Sequence, residues 1–159
     1  MQRLLLILGV SALTLLVGCA GPPAEPVTTD PAASDGTDRL ARGIAVLDGF
    51  EAGASDRVLD SYADLAPHFG RYVIEYPFGE IYARQEQLDA RTRLLAAVAA
   101  LTAVGDSEYA LKAHIRYALG AGCTQEEVVE VIVQTNIYAG FPRSVRALEA
   151  AREVFADAK

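Results

Sequence analysis

From Arg39 to Lys159 the apolar residues recur with a helical period, and no stretch alternates in the manner of a strand. That pattern restricts the chain to an all-α architecture, because a 3.6-residue repeat buries one face of a helix and would split across both faces of a sheet. Leu40, Ile44 and Leu47 share a face behind Asp38, a candidate cap. Ser55-Asp56 starts a second helix carrying Val58, Leu59, Tyr62 and Leu65. Pro67 opens a third with the aromatic stripe Phe69, Tyr72 and Tyr76, and Pro77 is expected to kink or break it before residues 78–84. Asp89 caps residues 90–104, which end at Gly105, and Ser107 begins a helix over 108–121 closed by Gly122. Thr124 and Glu127 form a capping box opening 125–139, and Pro142 sits near the start of a last helix reaching about Asp157. The expectation is a bundle of six to seven helices with short connections.

Composition removes several classes of function. The 159 residues hold only two cysteines, Cys19 and Cys123, too few for a disulfide framework or a four-thiolate zinc site. Two histidines, His68 and His114, exclude most His-rich metal sites, so no metal is expected. The net charge of −7 and the lack of any Lys/Arg run argue against nucleic acid as a partner.

The chain divides into three segments. In residues 1–18, Arg3 precedes an apolar run from Leu4 to Val17, too short to span a bilayer but suited to a signal-peptide core. The run ends Leu16-Val17-Gly18-Cys19, which resembles the bacterial lipobox, so Cys19 is expected to be acylated and to anchor the chain in a membrane. Residues 19–38 carry four prolines and four acids with no apolar period, and read as a disordered tether. Residues 39–159 form the helical domain, with 13 basic and 17 acidic residues. The expected location is export and lipid anchoring to a bacterial membrane on its periplasmic face, which is the outer membrane in a Gram-negative cell, as Ala20 after Cys19 implies.

Chemistry concentrates on few residues. His114 shares a face with Ala110, Ala113, Tyr117, Ala118 and Ala121; such a histidine is usually a core residue, but small neighbours leave room for a ligand. Its imidazole can act as acid or base near neutral pH. Glu80 and Arg84 stand i, i+4, as a surface pair would. Arg91 and Arg93 fall in the first turn of a helix, where the dipole disfavours cations, so they either pair with carboxylates such as Glu80 or hold an anionic ligand. The helix over 125–139 has almost no polar face after its first turn, which places it in the core or at an oligomer interface. Gln134 and Tyr138 lie i, i+4 on it, either satisfied internally or sharing a pocket wall.

Residues 76–155 resemble the carboxymuconolactone decarboxylase family, related to the alkylhydroperoxidase D-like proteins. The resemblance rests on Gly79-Glu80 with Tyr82, on Leu88-Asp89-Ala90-Arg91-Thr92-Arg93, on the His114 helix, on the capping box and on Tyr138-Ala-Gly-Phe-Pro142. It implies an alkylhydroperoxidase D-like all-α fold that assembles as homotrimers or hexamers with a site between helices. The peroxidase branch carries a Cys-x-x-Cys pair ahead of the histidine; here those positions are Ser107 and Ala110, so thiol peroxidase activity is not expected. Cys123, nine residues after His114, is a candidate core thiol.

The resemblance implies a carboxy-lyase that needs no cofactor, since an unsaturated lactone acid is its own electron sink. His114 would be acid and base, with Glu80 orienting it. Arg84, Arg91 and Arg93 would bind the small anionic substrate, and Tyr138 would face the oxyanion. A tethered copy of a catabolic enzyme suits that pathway poorly. The alternative is therefore a non-catalytic periplasmic lipoprotein binding a small acidic ligand or a protein partner.

Overall fold

The computed structural model describes residues 36–157. The expected export signal, Cys19 and nearly all of the expected tether lie outside them. Seven α-helices run in order: α1 (Gly36–Phe50), α2 (Ala54–Asp60), α3 (Phe69–Glu75), α4 (Ala90–Val104), α5 (Glu108–Gly120), α6 (Gln125–Ala139) and α7 (Phe141–Asp157). A π-helical turn, Pro77–Tyr82, separates α3 from α4. No strand occurs among the described residues.

Local signals account for most helix ends. Asp89 accepts the Thr92 amide at 3.0 Å and the Thr92 hydroxyl at 2.8 Å, closing the N-terminus of α4. At α6 the expected capping box is complete: the Glu127 amide donates to Thr124 Oγ1 at 3.1 Å, and the Thr124 amide donates to Glu127 Oε2 at 2.8 Å. Gly122, with φ +87°, turns the chain out of α5 in a conformation that a side chain would resist. The first helix departs from expectation. It is already helical at Gly36, so Asp38 lies inside its first turn and pairs with Arg42 at 3.0 Å. The cap of α2 also comes from elsewhere, since Asp48 accepts from the Ser55 amide at 2.8 Å and from its hydroxyl at 2.9 Å.

Pro77 converts the helix that precedes it. It has no amide to offer, and the Ile81 amide reaches back five residues to the Tyr76 carbonyl at 3.3 Å. The widened turn faces α1, its main packing partner.

The C-terminal half is a four-helix arrangement in which α4 packs on α6 and α5, and α7 closes against both α6 and α5. Leu94 and Val98 of α4, Ile115 of α5, and Val128 and Ile132 of α6 are fully buried. The N-terminal helices join this core through α1 against α5, and Leu47 of α1 and Ile74 of α3 belong to the same buried cluster. Only one side of α6 is core. Val133, Ile137 and Tyr138 stand exposed, Tyr138 at 81%, and continue onto exposed Phe141 and Val145 of α7. A second exposed apolar stripe is that of α3, where Phe69, Tyr72 and Tyr76 face outward.

Candidate active site

His114 sits in the second turn of α5, half-buried, with Ala113 and Ala118 buried beside it. Its Nδ1 lies 2.8 Å from the Ala110 carbonyl oxygen, one turn back. A carbonyl can only accept, so Nδ1 carries the proton and the neutral ring presents the lone pair at Nε2. Burial lowers the His114 pKa below its ordinary 6.5, and the bond to Ala110 offsets this only in part. At neutral pH the ring is therefore an uncharged base with a fixed tautomer.

An aromatic wall stands next to it. The Tyr117 ring is 5.5 Å from the imidazole, centre to centre, and meets Phe78 edge-on at 6.1 Å. Phe78 and Tyr82, four residues apart on the π-helical turn, stack at 5.3 Å, and Phe50 from the end of α1 packs edge-on against Tyr82 at 5.8 Å. Burial raises the pKa of both Tyr82 and Tyr117, which keeps their hydroxyls protonated as hydrogen-bond donors. The i, i+4 spacing of Phe78 and Tyr82 was visible in the sequence. Their meeting with Phe50 depends on how α1 docks.

That docking uses a close approach. Gly120, the last residue of α5, lies against the Phe50 carbonyl so tightly that a Cβ there would fall 1.7 Å from the oxygen. The glycine lets the end of α1 rest on the helix that carries His114.

Glu80 is held by α1. Its carboxylate pairs with Arg39 Nε and lies 3.7 Å from Arg42 Nη2, while Arg42 Nε also donates to the Gly79 carbonyl at 2.7 Å. The carboxylate thus pins the π-helical turn to α1. The hydrogen-bonding partner of His114 Nδ1 is Ala110, so within one chain Glu80 does not orient the imidazole through that nitrogen.

The three candidate arginines are placed differently from one another. Arg91 Nη2 donates to both oxygens of Glu127, at 2.8 and 2.6 Å, tying the start of α4 to the start of α6. Arg93 turns back on its own connection, donating from Nε to the Leu88 carbonyl at 2.9 Å and from Nη2 to the Arg84 carbonyl at 2.7 Å. Arg84 is exposed, and its guanidinium makes no hydrogen bond or ion pair among the described residues. Tyr138 and Gln134 both project from the exposed side of α6, so neither is in an enclosed wall of a single chain. Thr135, their neighbour, returns its hydroxyl to the Val131 carbonyl at 2.7 Å.

Cys123 is a buried free thiol whose Sγ lies 3.9 Å from the Arg91 carbonyl oxygen, and burial pushes its pKa up. Ser107, at a position where a peroxidatic cysteine would stand, caps α5 through the Ala110 amide at 3.4 Å. No cluster of three or more metal-ligating side chains occurs among the described residues.

The sequence is similar to several known proteins. It is 39% identical over 94 residues to an uncharacterised 15.0 kDa protein of Paracoccus denitrificans, covering 58% of this chain and 69% of that one. It is 34% identical over 102 residues to the 4-carboxymuconolactone decarboxylase of Acinetobacter baylyi, covering 64% and 75% respectively. An uncharacterised protein of Methanocaldococcus jannaschii matches at 35% over 72 residues, covering 45% and 66%. The model of the carboxymuconolactone decarboxylase family matches residues 67–153, from before α3 to near the end of α7, and the chain belongs to that family.

Proposed function

We propose that the protein is a cofactor-independent decarboxylase-like lyase acting on a small anionic lactone or keto acid. Membership of the family supports a decarboxylase-like function. The observation that carries the reading to particular atoms is His114, a neutral imidazole locked in one tautomer beside protonated tyrosines.

The chemistry follows from that state. An incoming carboxylate favours protonation of Nε2, because a negative neighbour offsets the desolvation that otherwise keeps the ring neutral. Breaking the carbon–carboxyl bond releases CO₂ and leaves its electron pair delocalised into the substrate carbonyl as a dienolate. His114 delivers the Nε2 proton to carbon, the dienolate collapses, and the neutral ring takes up a new proton from solvent. Arg84, whose guanidinium makes no hydrogen bond or ion pair among the described residues, would take the substrate carboxylate without breaking an existing pair. Arg91 would first have to leave Glu127. Tyr138, exposed in one chain, serves the oxyanion only if a second copy covers it.

Two further elements belong to this reading. The apolar continuation from Ile137 and Tyr138 onto Phe141 and Val145 supports assembly with further copies of the chain, as trimers or hexamers. Acylation of Cys19 would tether the enzyme to a membrane.

The test is CO₂ release by the purified full chain from a panel of carboxylated unsaturated lactones and keto acids. His114→Ala should lower turnover by about 10²- to 10⁴-fold while retaining a cooperative thermal transition. Equal turnover by the folded variant removes His114 from the reaction. A panel without turnover favours the non-catalytic binding reading, which the internal pairing of Arg91 and Arg93 also suits.

A further inference from the structure

We infer that the cleft between the α4–α5 turn and the first turns of α7 is a binding site for a small oxyanion, a short carboxylate or inorganic phosphate. The cleft has a volume of about 200 Å³, and none of His114, Glu80, Arg84, Arg91, Arg93 or Tyr138 lines it. At about 30 Å³ per water in the liquid, it holds roughly six or seven waters, enough for one such ion and too little for a large ligand.

The α7 side of the cleft is cationic. Arg143 and Arg146 enter from the first two turns of α7, where the helix dipole disfavours cations and no acidic residue of the first turn offsets them. Neither guanidinium makes a hydrogen bond or ion pair among the described residues. The Arg143 side chain, exposed on its outer side, passes over Gly105, where an added Cβ would lie 3.0–3.1 Å from its Cγ, Cδ and Nε. α5 starts at Glu108 behind its cap Ser107, both in the lining, and contributes the positive end of a 13-residue helix.

A second, independent feature lies in the wall. Thr102 of α4 lines the cleft at 1% exposure, and its Oγ1 has no hydrogen-bond partner among the described residues. Buried hydroxyls are almost always satisfied, so this orphan is a polar group in the wall of the cleft for which no described residue supplies a partner.

The acids present set the size of the charge. Glu108 is committed to Lys112 at 2.5 Å, and Lys112, with a smaller contribution from Arg146, holds its carboxyl below the ordinary value. Asp106 stands exposed and lines the same cleft. Lys112 is shared with Glu153 at 2.6 Å, so Asp106 and Glu108 stand against Arg143 and Arg146 and the lining is formally neutral.

The experiment is calorimetric titration of the full chain with sodium propionate and, separately, with inorganic phosphate, each against chloride at equal ionic strength. At least one oxyanion should bind saturably, and which one does so distinguishes an organic acid from free phosphate. Arg143→Gln with Arg146→Gln should weaken that binding at least tenfold, and Thr102→Val several-fold. Arg152→Gln, an exposed α7 arginine outside the cleft, removes one positive charge without weakening it. Should the double variant fail to fold, Arg143→Gln alone carries the same expectation of weakened binding. Binding no stronger than chloride, or unaltered binding in a folded cleft variant, overturns the site.

Discussion

Gly120 and Gly49 are both helical glycines, and replacing each with alanine should move stability in opposite directions. Helix propensity favours alanine over glycine by up to about 1 kcal/mol in a helix interior. Gly49 of α1 has nothing within 4 Å of where its Cβ would stand, so Gly49→Ala should gain most of that amount. At Gly120 the new Cβ falls 1.7 Å from the Phe50 carbonyl oxygen and 2.8 Å from its carbon, where real contacts essentially never go below 3.0 Å. The obstacle is backbone and cannot swing aside as a side chain would. The ends of α1 and α5 must therefore separate by more than about 1 Å, and overpacking of this kind costs typically about 1–3 kcal/mol, which exceeds the propensity gain. Gly120→Ala is thus expected to lose about 1–2 kcal/mol, placing the two variants about 2–3 kcal/mol apart. Urea unfolding at fixed protein concentration reads this directly, and holding concentration constant keeps assembly from shifting the midpoints. A Gly120→Ala protein as stable as Gly49→Ala would show that the α1–α5 contact is not close-packed, and would remove the argument for how Phe50 reaches the aromatic wall beside His114.

Three further expectations are simpler to state. Because burial lowers the His114 pKa, the unfolded chain takes up this proton first; the stability it contributes is complete above pH 6.5 and is lost as pH falls through 6.5 toward the depressed native value. His114→Gln should flatten that acid limb, and a stability difference from wild type that stays constant between pH 7.5 and 5 would contradict the burial. Thr124→Ala removes the first half of the α6 capping box and should cost about 1 kcal/mol in urea unfolding, with an unchanged midpoint arguing that the cap is not holding the helix. Cys19→Ser should release the chain from membranes on fractionation, and undiminished retention would count against an acyl anchor.

What was legible in the sequence was what is local. Asp89, Thr124 and Glu127 act within three residues of their targets, and the α4 and α6 boundaries followed from them. Asp38 misled because its carboxylate is used by Arg42, one turn on, in a helix that had already begun. The partners of the candidate site are remote. Arg42 reaches Gly79 across 37 residues, and Arg91 reaches Glu127 across 36, so the choice between pairing and ligand binding was left open by spacing alone. Arg93 turns to two backbone carbonyls, a partner that no residue pattern announces. The apolar run of α6 was correctly seen as having little polar face, but its period cannot say which side meets the chain's own core.

Glu127 joins two structures that are usually separate. One oxygen pair closes the first turn of α6 and also receives Arg91 from the first turn of α4. Helix ends ordinarily fray one at a time, each on its own local free energy. Here a protonation or removal of one carboxylate loosens both starts together, so the amides at the beginnings of α4 and α6 should exchange with solvent as one cooperative unit. The entry to the four-helix core is in that sense a single latch shared by two helices.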